Sequence, residues 1–170
     1  MQFALLLTVM AWAGYLSWSD WRTRLLPNWL TVGGAVVALV LRFALGGWSS
    51  FIDGFAAAAV AGAVLLIPFF MKGAGGGDVK MLFAAGAITG SGKLFMLLWT
   101  TSLAGVVMGV IMLLCGQLEG ARMRHVVRSL FDWRYDRAAG AATLPPKDAV
   151  RARIPFSLPI AAGLIVALLW

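Results

Sequence analysis

Long apolar runs separated by short polar ones dominate the chain. They extend from Phe3 to Trp18, Trp29 to Leu45, Gly54 to Met71, Val79 to Thr89, Leu94 to Cys115 and Ile154 to Trp170. Within each run the apolar residues are continuous rather than alternating, which argues for helices that lie in lipid and against half-buried strands. The pattern predicts an all-α, polytopic membrane protein of about six transmembrane helices, organised as one domain over 1–170. Several runs fall short of the roughly 20 residues that span a typical bilayer, so short helices, partial re-entry or local thinning are part of the expectation. Ala11-Trp12-Ala13 resembles a signal-peptide cleavage site. No basic residue precedes that first run, so it is read as a span.

Composition strengthens this picture. The chain is 61% hydrophobic and 12% charged, against roughly 25% charged residues in an average soluble domain. The net charge of +7 sits in short segments between apolar runs rather than on one basic face, so lipid headgroups and not nucleic acid are the expected partner. Basic loops stay cytoplasmic. With the N-terminus outside, all of the 14 Lys and Arg residues except Arg42 and Lys93 fall on the cytoplasmic side. The 116–153 segment is the longest loop on that side. Within it Met123, Val126, Val127, Leu130 and Phe131 share one helical face among arginines, the signature of an amphipathic helix lying on the membrane.

Several chemistries are excluded by what is missing. Cys115 is the single cysteine and His125 the single histidine, and no HExxH occurs. A zinc site therefore cannot be assembled, and neither metal nor cofactor is expected. Gly90-Ser91-Gly92 faintly resembles a serine nucleophile turn, but the topology puts it outside and His125 inside. No GxxxxGK[ST] sequence is present to cradle a phosphate.

Seven acids remain to be explained. Glu119, Asp132, Asp136 and Asp148 lie in the long loop, and Asp53 beside Gly54 reads as the N-cap of the third span. Asp20 and Asp78 are different. Counting about 1.5 Å per residue from the outer boundary puts Asp20 roughly 26 Å deep and Asp78 roughly 22 Å deep in a core of about 30 Å. Both come out slightly below the cytoplasmic surface. Two carboxylates in one wet pocket would hold a proton between them, and such a pair can activate water and polarise a peptide carbonyl. Singly, each has a plainer reading, Asp78 as a helix cap after a loose linker and Asp20 as a polar span end. Gly73, Gly75, Gly76 and Gly77 are expected to open the backbone beside Asp78 to conformations closed to other residues, and to let a substrate chain approach. Lys80, about 200° round a helix from Asp78, reads as a headgroup anchor.

Two motifs carry a family resemblance. Asp20-Trp21-Arg22-Thr23-Arg24-Leu25-Leu26-Pro27-Asn28 resembles an aspartate followed by a basic, polar stretch and an LPN turn, and Gly75-Gly76-Gly77-Asp78-Val79-Lys80-Met81 resembles GxGDxKL. Arg153-Ile154-Pro155-Phe156-Ser157-Leu158-Pro159 is similar to the weaker IPFxP lead-in to a last span. Together these resemble the type IV prepilin peptidases, intramembrane aspartic proteases of the GxGD class. The resemblance implies Asp20 and Asp78 as the catalytic pair, Gly75, Gly76 and Gly77 as motif backbone, and Pro27 and Asn28 as shapers of the loop into the second span. It implies a prepilin partner with a short basic leader, cleaved at the cytoplasmic face of a bacterial inner membrane, with Lys80, Arg22 and Arg24 as candidate contacts to substrate or lipid. Paired CxxC motifs of the larger, N-methylating members are absent. The compact form resembles the peptidases of Flp/Tad pili. The rival expectation is a non-catalytic membrane subunit or a small cation transporter in which the same acids bind or relay a cation.

Overall fold

The computed structural model describes residues 2–23, 25–70, 74–115 and 156–170. The expected amphipathic helix, His125, Arg24, Lys72 and Gly73 lie outside these residues. The chain divides into two compact units, residues 1–107 with 153–170 and residues 108–152. The first unit holds both candidate acids, Asp20 and Asp78.

The described residues are helical, without strands: α1 Gln2–Thr23, α2 Asn28–Phe70, α3 Gly76–Thr89, α4 Ser91–Leu114 and α5 Ser157–Leu169. Local chemistry sets the boundaries. Pro27 forces Leu26 away from helical geometry, and the Pro27 carbonyl then accepts the Leu30 and Thr31 N–H groups that begin α2. Gly90, at φ 71°, separates α3 from α4. In α5, Pro159 falls in the first turn, where the missing N–H has no helical acceptor to lose.

α2 contains 43 residues and is interrupted at Gly47, with φ 67° and ψ −162°. Its two legs run in opposite directions along α3. On the first leg, Asn28 meets Lys80 and Arg42 meets the carbonyls of Ala87 and Ile88. On the second, Gly54 lies by Ala87, Ala57 and Ala58 by Gly86, Gly62 by Phe83 and Phe69 by Gly76. The sequence suggested a polar loop between these legs; one residue in the left-handed region suffices. α5 runs antiparallel to α4, with Lys93 bonded to the Leu168 carbonyl, Thr100 to that of Gly163, and Phe156 over Gly105. Trp12 joins α1 to α2 by donating to the Leu30 carbonyl at 3.0 Å.

These directions give the unit two ends. At the Gly47 end, Arg42 donates to the Asp53 carboxylate at 3.0 Å, to the Ala87 carbonyl at 2.8 Å and to that of Ile88 at 3.3 Å. Asp53 in turn accepts from the backbone N–H and Oγ of Ser91. A cation thus meets the carbonyl end of α3 and an anion meets the N–H end of α4, the placement that helix dipoles favour. Asp53 is therefore not the cap of its own helix. It lies inside α2, because the reversal occurs six residues earlier, and it caps α4.

Two helices among the described residues, Asn28–Phe70 and Ser91–Met112, are long and apolar enough to cross a membrane, against about six expected. α2 merges two of the expected runs. α3 and α5, at 14 and 13 residues, measure about 20 Å each, and the last turns of α1 are polar. The crossing windows are not core helices, being only 35% and 17% buried. Where α2 packs on α3 the buried residues include many small ones, Ala57, Ala58, Ala61, Ala84, Ala85 and Ala87, while Val36, Val40, Val60, Val64, Leu103 and Val106 lie outside. Such a surface is costly in water and costs nothing against lipid tails.

α3 approaches the second leg of α2 closely at Gly86, where an added Cβ would come within 2.7 Å of the Ala57 carbonyl oxygen and 2.8 Å of the Ala61 methyl. Gly86→Ala should therefore destabilise the protein by about 1–3 kcal/mol through overpacking. Gly92→Ala, where a Cβ meets nothing within 4 Å, is the control. Heating both in detergent while following helical circular dichroism reads the difference.

Candidate active site

Along α1 the buried positions Ala13, Leu16, Ser17 and Asp20 recur at helical spacing and form the inward stripe. Along α3 the corresponding stripe is Asp78, Met81, Leu82 and Ala85. Ala13, Leu16, Met81, Leu82 and Ala85 belong to one apolar cluster, together with Ile160 and Leu164 of α5. Asp20 ends one stripe and Asp78 begins the other, so both carboxylates lie at the same end of this cluster. They are 7% and 6% exposed. Burial of two acids this far from solvent is costly unless polar groups receive them.

The partners are specific. Asp20 Oδ2 accepts the Ser157 hydroxyl at 2.6 Å. Asp78 is the third residue of α3, and its Oδ2 accepts the backbone N–H of Gly75 at 3.0 Å. That is one half of a capping box, so the plain reading of Asp78 as a cap is in part realised, one turn earlier than expected.

The two sequence motifs meet physically. Lys80 Nζ donates to the Asn28 side-chain oxygen at 2.7 Å, on the exposed side of α3 and away from Asp78. Leu26 packs on Gly77, where a Cβ would fall 2.8 Å from the Leu26 Cβ. Pro27 contributes its carbonyl to the start of α2, in keeping with a loop-shaping role. Arg22 stacks over the exposed Trp18 ring at 4.9 Å, an arrangement common where a helix end meets an interface.

The expectation for the glycines needs correcting. Gly75 has φ −84°, and Gly76 and Gly77 are already in the first turn of α3. Among the described residues the glycines with positive φ are Gly47 and Gly90. Conformations closed to other residues are therefore not what Gly75, Gly76 and Gly77 provide. Gly77 is small because Leu26 lies against it. Gly75 leaves room for the Asp78 carboxylate, whose Oδ2 would be 3.0 Å from an added Cβ. Ser157 reaches Asp20 from a stretch whose sequence resembles only a lead-in to a span. The available signal was a lone hydroxyl flanked by Phe156 and Leu158 at a helix start.

The sequence pattern of the type IV leader peptidase family matches residues 7–110. The chain belongs to this family. The matched span contains Asp20, the Leu26-Pro27-Asn28 turn and Gly75 to Asp78, while Ser157 lies beyond it. No curated protein and no solved structure matches this leader peptidase family member.

The contact between the motifs gives a test. Gly77→Ala should lower the melting temperature and displace the Leu26 turn. Because the clash is with the Leu26 Cβ itself, Leu26→Gly in the same chain should recover part of the loss and Leu26→Ala should not. Thermal unfolding of the single and double variants reads the coupling.

Proposed function

We propose that this chain is an intramembrane aspartic endopeptidase that removes the short basic leader of type IV prepilins, of the Flp type, at the cytoplasmic face of a bacterial inner membrane. Membership of a leader peptidase family supports the substrate class. The observation that carries the mechanism is the pair of buried carboxylates at one end of one core cluster, each held by a specific donor.

In this reading one carboxylate takes a proton from water as its oxygen attacks the scissile carbonyl, and the protonated partner donates to the carbonyl oxygen. A tetrahedral diol forms. Its collapse breaks the C–N bond, with a proton delivered to the leaving amine. Proton sharing between the two aspartates belongs to the substrate-bound state in this reading, since Asp20 ends one helix and Asp78 begins another. No metal or cofactor takes part.

The topology we propose has six crossings, formed by α1, the two legs of α2, α3, α4 and α5, with the N-terminus outside. Arg22 and Lys80 belong to the aspartate end and Arg42 and Lys93 to the other, which favours a cytoplasmic aspartate end by the distribution of basic charge. Arg22, Arg24 and Lys80 are assigned to lipid headgroups or the substrate at that surface. The absence of paired cysteines favours cleavage without methyl transfer. The cation-carrier alternative has no family match to support it.

Asp20→Asn and Asp78→Asn should each leave the protein inserted and folded while abolishing cleavage of a co-expressed prepilin, read as loss of the shorter pilin band. Cleavage at the wild-type rate by either variant would sink the assignment.

A further inference from the structure

Ser157 is the first residue of α5 and is fully buried, with 0% exposure. A serine at a helix start is ordinarily explained as a cap. Here the cap position is Phe156, which makes no side-chain cap bond, and the Ser157 Oγ instead donates to Asp20 Oδ2 at 2.6 Å. That length lies in the range of charge-assisted O–H···O bonds. Three residues before Asp20, on the same face of α1, the Ser17 Oγ lies 2.9 Å from the Ala13 carbonyl oxygen and 3.3 Å from that of Ser157. One residue of α5 thus meets α1 twice, through its side chain at Asp20 and, more weakly, through its carbonyl at Ser17, whose single proton is shared with Ala13.

We infer that Ser157 is a positioning residue for the proposed hydrolysis, acting through Asp20 and not on the peptide. Its hydroxyl fixes the carboxylate rotamer and occupies Oδ2, which leaves proton transfer with water to Oδ1. Ser17 adds a weaker contact to the Ser157 carbonyl and so supports the direction of that hydroxyl. A carboxylate free to rotate at the end of a helix would spend much of its time facing away from the reacting water, and near-attack geometry is what catalysis loses first. The inference rests on the reading of Asp20 as half of the catalytic pair.

The test uses the full chain in detergent or proteoliposomes with a prepilin substrate. Ser157→Ala should lower kcat by about 10- to 100-fold, the value of a hydrogen bond to a charged group, with KM close to wild type and a lowered melting temperature that still leaves the protein fully folded at the assay temperature. Ser157→Cys, which fills the site with a weak donor, should also stay folded at the assay temperature and lose kcat. Ser17→Ala, which leaves the Ser157 hydroxyl in place, should lose less than Ser157→Ala. The inference is overturned if Ser157→Ala or Ser157→Cys retains wild-type kcat, or if activity falls only as the folded fraction falls. Asp20→Asn and Asp78→Asn run alongside. Activity in either removes the catalytic pair and this inference with it, whereas inactive aspartate variants beside a fully active Ser157→Ala remove the inference alone.

Discussion

A hydrogen atom in place of a methyl at Gly86 lets α3 lie directly against the second leg of α2, where Ala57, Ala58 and Ala61 present nothing larger than a methyl. The other leg runs alongside the same helix, so α3 is held along its length. The depth and direction of Asp78 follow from that grip, because α3 is short and its first turn lies where Phe69, Leu26 and Asn28 come together. In lipid, helices gain little by hiding apolar surface and associate through close van der Waals contact and polar bonds. Along α2, small buried residues at Ala57, Ala58 and Ala61 and large exposed ones at Val36, Val40, Val60 and Val64 follow that rule.

The two ends of the unit solve opposite electrostatic problems. At the Gly47 end, Arg42 and Asp53 neutralise one another while each also meets a helix terminus of suitable sign. At the other end, two acids are buried with a hydroxyl and a backbone N–H among their donors. The first arrangement spends its charges on structure. The second keeps two carboxylates at the edge of an apolar cluster, where polar donors and not opposite charges receive them.

Much of the helical order was legible from apolar runs, because a run of that length has one stable answer in lipid. The reversal at Gly47 was hidden, since Gly46-Gly47 sits inside a sequence whose polar residues suggested a loop reaching Asp53. The expected cap at Asp53 fails for the same reason. Local spacing favours a cap at the nearest helix start, whereas the true partner, Ser91, is reached only through the fold. Asp20 and Asp78 stood out by depth alone, but their shared core cluster depends on α1, α3 and α5 converging. The glycines beside Asp78 show the limit of composition. Three in a row suggested an unusual backbone, and the requirement at Gly77 is space for a neighbour 51 positions earlier in the chain, Leu26.

The place of Ser157 in the chain sets when Asp20 can first meet this donor during synthesis. α1 and α3 are made first, and the hydroxyl that receives Asp20 arrives only with the last described helix, after a long intervening stretch of chain. Until α5 docks, Asp20 lacks that donor, and the stripe that ends in it faces an unfinished core. A nascent chain halted before α5 would thus hold both aspartates without the hydroxyl that Asp20 accepts.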